Sequence, residues 1–197
     1  MLEEFESIGR DMFLSSLVSS HGGNMSMRVG DRMVITRRGA QLGRLEAENL
    51  VETGLYRDDS HVMLASSETP VHRAIYLQTA ALAIIHAHPR TAIALSLLED
   101  EIVPVDNEGS YLLHRVPVVS SELASGIELA EVVSSALKQY KIIMVRGHGC
   151  FAIGQLLEEC YQWVSCLEES SQILYYFRTL GGEIKEYRRM ADRYTKW

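Results

Sequence analysis

The run Ala83-Ile84-Ile85-His86-Ala87-His88-Pro89 constrains this chain more than any other stretch. Its first six residues contain no turn former and read as a buried strand. Pro89 stops that strand and opens a helix predicted to run through Leu98. Ile142-Ile143-Met144-Val145 is a second buried strand, turned by Gly147-His148-Gly149 into a short strand over Cys150 to Ile153. A buried strand needs cover from neighbouring elements, and the rest of the chain supplies helical patterns to provide it.

Between Glu3 and Ser20, Phe5, Ile8, Met12, Leu14, Leu17 and Val18 fall near helical spacing and predict an amphipathic helix. His21-Gly22-Gly23-Asn24 ends it, because glycine readily takes the left-handed conformation. Met25 to Val29 and Met33 to Thr36 read as strands joined at Gly30-Asp31, and Val51 to Tyr56 as another. Leu45 to Leu50 is a short helix or turn. Glu68 to Thr79 predicts a helix, with Ser67 as its N-cap and Pro70 in its first turn. Short strands and turns are expected over Ile102 to Val119, a helix over Glu122 to Tyr140, and a long helix from Gln155 to about Leu180. Tyr175, Tyr176 and Phe177 on that last helix are read as packing residues. Helices and short strands alternating in this way suggest a three-layer α/β/α or an α+β architecture. A length of 197 residues with no linker or repeat fits a single domain over residues 1–197.

Composition narrows the function classes. The chain is 47% hydrophobic and 23% charged, which excludes wholesale disorder. A formal net charge of −7 argues against a phosphate-backbone binder, so no nucleic acid partner is expected. No apolar run reaches the roughly 18–20 residues of a membrane span, so no membrane partner is expected either. The first turn is acidic where a signal peptide is basic. Cys150, Cys160 and Cys166 form no CxxC pair and read as reduced thiols of a cytoplasmic protein.

His86 and His88 are two apart on a strand, so both imidazoles point the same way and can bite one metal ion. His148 sits between two glycines just after another buried strand, at the kind of strand end where α/β sheets place ligands. Three neutral imidazoles with an open fourth position describe a catalytic zinc site. The alternative is that each satisfies a hydrogen bond in the core. Ser66, Ser67 and Glu68 precede a helix and read either as simple caps or as an anion site with an acid/base beside it. Gly23-Asn24-Met25-Ser26 and Thr36-Arg37-Arg38-Gly39 offer amides, hydroxyls and charge for a phosphate, or else an ordinary turn and a solvated arginine pair. His21, His61 and His114 have no partner pattern and read as structural or surface residues.

Taken in order, these five motifs resemble the class II aldolase/adducin family from about Phe5 to Leu180. The resemblance implies a central, mainly antiparallel sheet with helices on both faces. It implies that His86, His88 and His148 ligate Zn2+ or another divalent metal, and that Glu68 is the catalytic acid/base. Asn24, Thr36, Arg38, Gly39, Ser66 and Ser67 would hold the substrate phosphate. The family's loop often reads Thr-x-Ser-Gly, and here Arg38 replaces the serine, so a guanidinium would hold a phosphate or a carboxylate. Adducin has the fold without the metal histidines, so their presence favours an enzyme. The implied activity is reversible cleavage of a small ketose 1-phosphate, L-fuculose 1-phosphate foremost, to dihydroxyacetone phosphate and an aldehyde. A sugar-phosphate 4-epimerase, a methylthioribulose-1-phosphate dehydratase and a non-catalytic adducin-like module are the alternatives. Homotetramers with active sites between subunits are common in the family. There a neighbouring subunit's tyrosine assists catalysis, and Tyr111, Tyr187 and Tyr194 show no clear match to it.

Overall fold

The computed structural model describes residues 1–122 and 126–187. Eight strands among them form one mixed sheet: β1 (Asn24–Val29), β2 (Arg32–Thr36), β3 (Leu50–Gly54), β4 (Ala83–Ala87), β5 (Glu101–Ile102), β6 (Val116–Val119), β7 (Ile142–Val145) and β8 (Gly149–Gly154). Their order is β3-β2-β1-β4-β8-β7-β6-β5. Every neighbouring pair is antiparallel except β6–β7. Six α-helices cover the sheet: α1 (Leu2–Leu14), α2 (Thr69–Gln78), α3 (Arg90–Ser96), α4 (Asn107–Leu112), α5 (Ile127–Ala136) and α6 (Leu157–Leu180). The arrangement is three layers, as the sequence patterning implies. None of these helices is long and apolar enough to cross a membrane.

Strand alternation divides the core in two. On β4, Ala83, Ile85 and Ala87 join Phe5 of α1, Ala92 of α3 and Leu167 of α6 in one buried cluster. Ile84 turns to the opposite face, with Val71 and Ile75 of α2 and Val133 of α5. Each fully buried aliphatic side chain contributes about 1.5–3 kcal/mol relative to exposure. His86 lies on the Ile84 face, at the end of the row that would otherwise continue the α2–α5 core.

Several boundaries differ from expectation for local reasons. Helix α1 stops at Leu14 rather than Ser20. Ser16 takes a left-handed φ of 59°, and the N–H groups of Ser16 and Leu17 donate to the carbonyls of Phe13 and Met12. That is a Schellman ending, with serine in the position glycine usually holds. Helix α2 begins with Glu68, not Ser67, as its N-cap, and the Glu68 side chain caps nothing. Helix α4 interrupts a stretch expected to hold only strands and turns; Asp106 caps it by accepting from Gly109 N–H at 2.7 Å. Helix α5 spans less than the expected Glu122 to Tyr140, and 123–125 of that stretch lie outside the described residues, as does Tyr194. Tyr175 and Tyr176 are exposed rather than packed, and the same turn of α6 buries Leu174 instead. All three cysteines are buried free thiols, and burial pushes Cys166 up to about 12 and the other two up as well.

Candidate active site and metal centre

The C-terminal end of β4 and the β7–β8 turn bring three histidines together. His86 Nε2 and His88 Nε2 stand 2.9 Å apart. His148 is delivered by a turn through Gly147, whose φ of +67° suits glycine, and its ring centroid lies 4.9 Å from that of His86. One ligand nitrogen from each of the three fits within 4.8 Å of the others. Gly149 makes this packing possible. A Cβ there would stand 2.3 Å from the Ala87 carbonyl oxygen and 2.6 Å from His88 Cδ2.

The donor set suits a metal ion. His86 Nδ1–H donates to the Cys150 carbonyl at 2.9 Å, which leaves the Nε2 lone pair facing His88. Two imidazole nitrogens so close need a proton or a cation between them. Zinc–nitrogen bonds of about 2.0–2.1 Å hold tetrahedral ligand atoms about 3.4 Å apart, a small adjustment from this geometry. Burial lowers the pKa of all three rings, that of His88 to about 4, and their mutual proximity lowers His86 and His88 further. Neutral imidazole is the form that ligates.

Glu68 completes the cluster from the start of α2. Its Oε1 lies 3.4 Å from His86 Nε2 and 3.6 Å from His148 Nε2. Its Oε2 accepts from Asn24 Nδ2 at 3.1 Å. Burial raises this carboxyl to about 7, with the Asn24 hydrogen bond pulling the other way. Asn24 and His86 are direct partners in the β1–β4 register, so the sheet fixes both sides of the carboxylate.

A cavity of about 170 Å³ opens in front of these groups. Asn24, Arg38, Gly39, Ser66 and Ser67 all line it, together with Arg37 and His21. Both arginines are exposed. Thr36 is not brought to the cavity: it is buried, and its Oγ1 accepts from Met25 N–H at 3.2 Å. Ser66 Oγ accepts from Glu68 N–H at 3.2 Å. A larger cavity of about 620 Å³ runs along α4 and α6, beside Asp106, Glu108 and Glu169, and contains none of the clustered histidines.

Residues 3–175 match the family of the Class II Aldolase and Adducin N-terminal domain. The chain belongs to this family. Its fold superposes on the crystal structure of L-fuculose-1-phosphate aldolase from Thermus thermophilus with a TM-score of 0.87 and 38% identity, over 94% of this chain and 98% of the other. An L-fuculose phosphate aldolase of Methanocaldococcus jannaschii is 30% identical across 87% of this chain and 93% of its own length. A methylthioribulose-1-phosphate dehydratase of Acidiphilium cryptum is 31% identical across 84% and 85%. As a class II aldolase-family enzyme the chain is a lyase.

Three supporting residues of this class II aldolase fold escaped sequence reasoning. Phe151 stacks on His86, centroids 4.2 Å apart, because the two are partners in the β4–β8 register. Glu168, buried in the middle of α6, accepts from Thr91 N–H, Thr91 Oγ1 and Ala92 N–H at 2.6–3.1 Å and so holds the start of α3 just after His88. His72 is wholly buried one helical turn beyond Glu68. Only His72 left a signal, its spacing of four from Glu68.

Proposed function

We propose that this chain is a zinc-dependent aldolase that reversibly cleaves a small ketose 1-phosphate to dihydroxyacetone phosphate and an aldehyde. L-Fuculose 1-phosphate, giving lactaldehyde, is the leading substrate. The observation that carries the reading is Glu68 Oε1 within 3.6 Å of nitrogens from two of the clustered histidines, beside a cavity with an arginine lip. His86, His88 and His148 would hold the ion, which when bound supplies a Lewis acid for negative charge developing on the substrate.

The remaining work falls to side chains. As the bond between C3 and C4 breaks, the C4 hydroxyl gives its proton to water and becomes the aldehyde carbonyl. The electron pair stays with C3, and Glu68 delivers the proton that completes dihydroxyacetone phosphate and is then re-protonated from water. The Glu68 carboxyl, buried beside the clustered histidines, is placed to hold and release that proton. Asn24 keeps the carboxylate turned toward the histidines through Oε2. Ser66, Ser67 and Gly39, at the N-terminus of α2 and the adjoining loop, would receive the phosphate, with Arg38 neutralising it. Fixing the phosphate holds the reacting carbons in register.

The dehydratase relative at 31% identity favours a second reading, loss of water from a ketose 1-phosphate. One experiment separates the two. Metal-loaded enzyme is incubated with a panel of ketose 1-phosphates, and products are identified by mass. Dihydroxyacetone phosphate plus an aldehyde supports the aldolase; a product lighter than its substrate by one water supports the dehydratase. We also propose a cytoplasmic homotetramer built from single-domain chains. Exposed Leu98, Tyr111, Tyr175 and Leu180 supply apolar surface for such assembly.

A further inference from the structure

Strand β1 and helix α2 are stitched by two polar contacts in matching register. Asn24 reaches Glu68, and two residues along the strand Ser26 Oγ meets His72 Nδ1 at 2.7 Å. Two strand residues span about 6.7 Å and four helical residues about 6 Å, so the contacts sit side by side. A further turn along α2, the Tyr76 hydroxyl meets the same Ser26 oxygen at 2.7 Å. Ser26, His72 and Tyr76 are all fully buried, where an unpaired hydroxyl or imidazole nitrogen costs about 1–3 kcal/mol. The helix therefore cannot slide or rotate on the strand without breaking these bonds.

His72 also borders the metal side. Its ring meets Phe151 edge-on, centroids 6.3 Å apart and planes at 71°, and Phe151 stacks on His86 with planes at 22°. One imidazole is thus tied by Ser26 to the strand that holds Asn24 and by Phe151 to the ring of His86.

We infer that His72 is a positioning residue: through Ser26 it sets the rotation of α2 on β1, and so the distance of the Glu68 carboxylate from the histidine cluster. It touches neither substrate nor metal. Its kinetic consequence rests on the reading of Glu68 as the acid/base, whereas its effect on the carboxylate's position does not.

The test uses zinc-loaded full-length protein with His72→Leu, His72→Asn, Ser26→Ala and Glu68→Gln. Leucine keeps bulk and loses the bond to Ser26. Asparagine places an amide where Nδ1 was and restores that bond. In crystal structures, the Glu68 carboxylate of His72→Leu should move by about 1 Å from its place beside Asn24, and return in His72→Asn; such a displacement is enough to cost up to about 100-fold in rate. Exchange of a dihydroxyacetone phosphate proton with heavy water should fall by up to about 100-fold in His72→Leu and recover in His72→Asn, with zinc content unchanged. In the Glu68→Gln background His72→Leu should cost little more, since its effect runs through that carboxylate. Ser26→Ala repeats the test should His72→Leu not fold. A carboxylate that stays in place in both His72→Leu and Ser26→Ala overturns the proposal, as does failure of His72→Asn to restore it. Full exchange by Glu68→Gln, or none by the wild type, strikes instead at the acid/base reading, and the crystal structures still decide His72.

Discussion

The two faces of β4 are built for opposite ends. Ala83, Ile85 and Ala87 point into an apolar cluster shared with residues of α1, α3 and α6. The other face starts the same way with Ile84 but ends in His86, opposite Asn24 and next to Glu68. The difference teaches that one strand can be a core element and the arm of a histidine cluster at once. The apolar row fixes the strand, and the strand fixes the imidazole.

The comparison breaks most completely at His86. His86→Ala should bring metal content and lyase activity to background while the fold survives, because the opposite face is untouched. Elemental analysis with circular dichroism checks this. Glu68→Gln comes next. It should lower turnover by about 10²–10⁴-fold, the usual worth of a positioned acid/base, with metal retained. Steady-state kinetics and metal analysis together decide it. On the other face, Ile85→Ala should leave the metal in place and cost about 2–5 kcal/mol of stability through the cavity it opens. Urea unfolding measures that cost, and metal loss before unfolding would show that the two faces are not separable.

The smallest effect, read per pH unit, is a pH dependence. Burial lowers the His72 pKa to about 3, against about 6.5 in an unfolded chain. Between those values the unfolded state binds the extra proton, so stability falls as pH drops from about 6.5 toward 3. The contribution is at most about 1.4 kcal/mol per pH unit. In chelator-treated protein, His72→Asn should make the fall shallower over that window. Urea midpoints at a series of pH values give the slopes.

Much of the site is legible in the sequence because it is local. The alternation of His86 and His88, the glycines around His148 and the Ser66-Ser67-Glu68 helix start are short-range patterns, and the cavity gathers them together with Asn24, Arg38 and Gly39. Thr36 departs from its expected place in the cavity because strand alternation, set by the partner strand, turns its hydroxyl to Met25. Phe151 and Glu168 are invisible in the sequence for the same reason. Their roles come from register and from packing across 65 residues or more, which no window of sequence contains. The early stop of α1 at Leu14, with Ser16 left-handed beyond it, and the Asp106 cap of α4 are local, yet each is a weak preference that tertiary packing decides.

The bond network at Glu168 also sets a timetable. The N–H groups in the first turn of α3 come just after His88, and their acceptor belongs to residue 168. A ribosome adding about 5–20 residues per second needs roughly 4–15 s to travel from Thr91 to Glu168. For most of that interval the nascent chain has its first two imidazoles without the third, and for all of it the helix behind them lacks its anchoring carboxylate. The support of the centre is therefore completed only after α6 has been made as far as Glu168, and a chain arrested before α6 carries its histidines on a support that is not yet fastened.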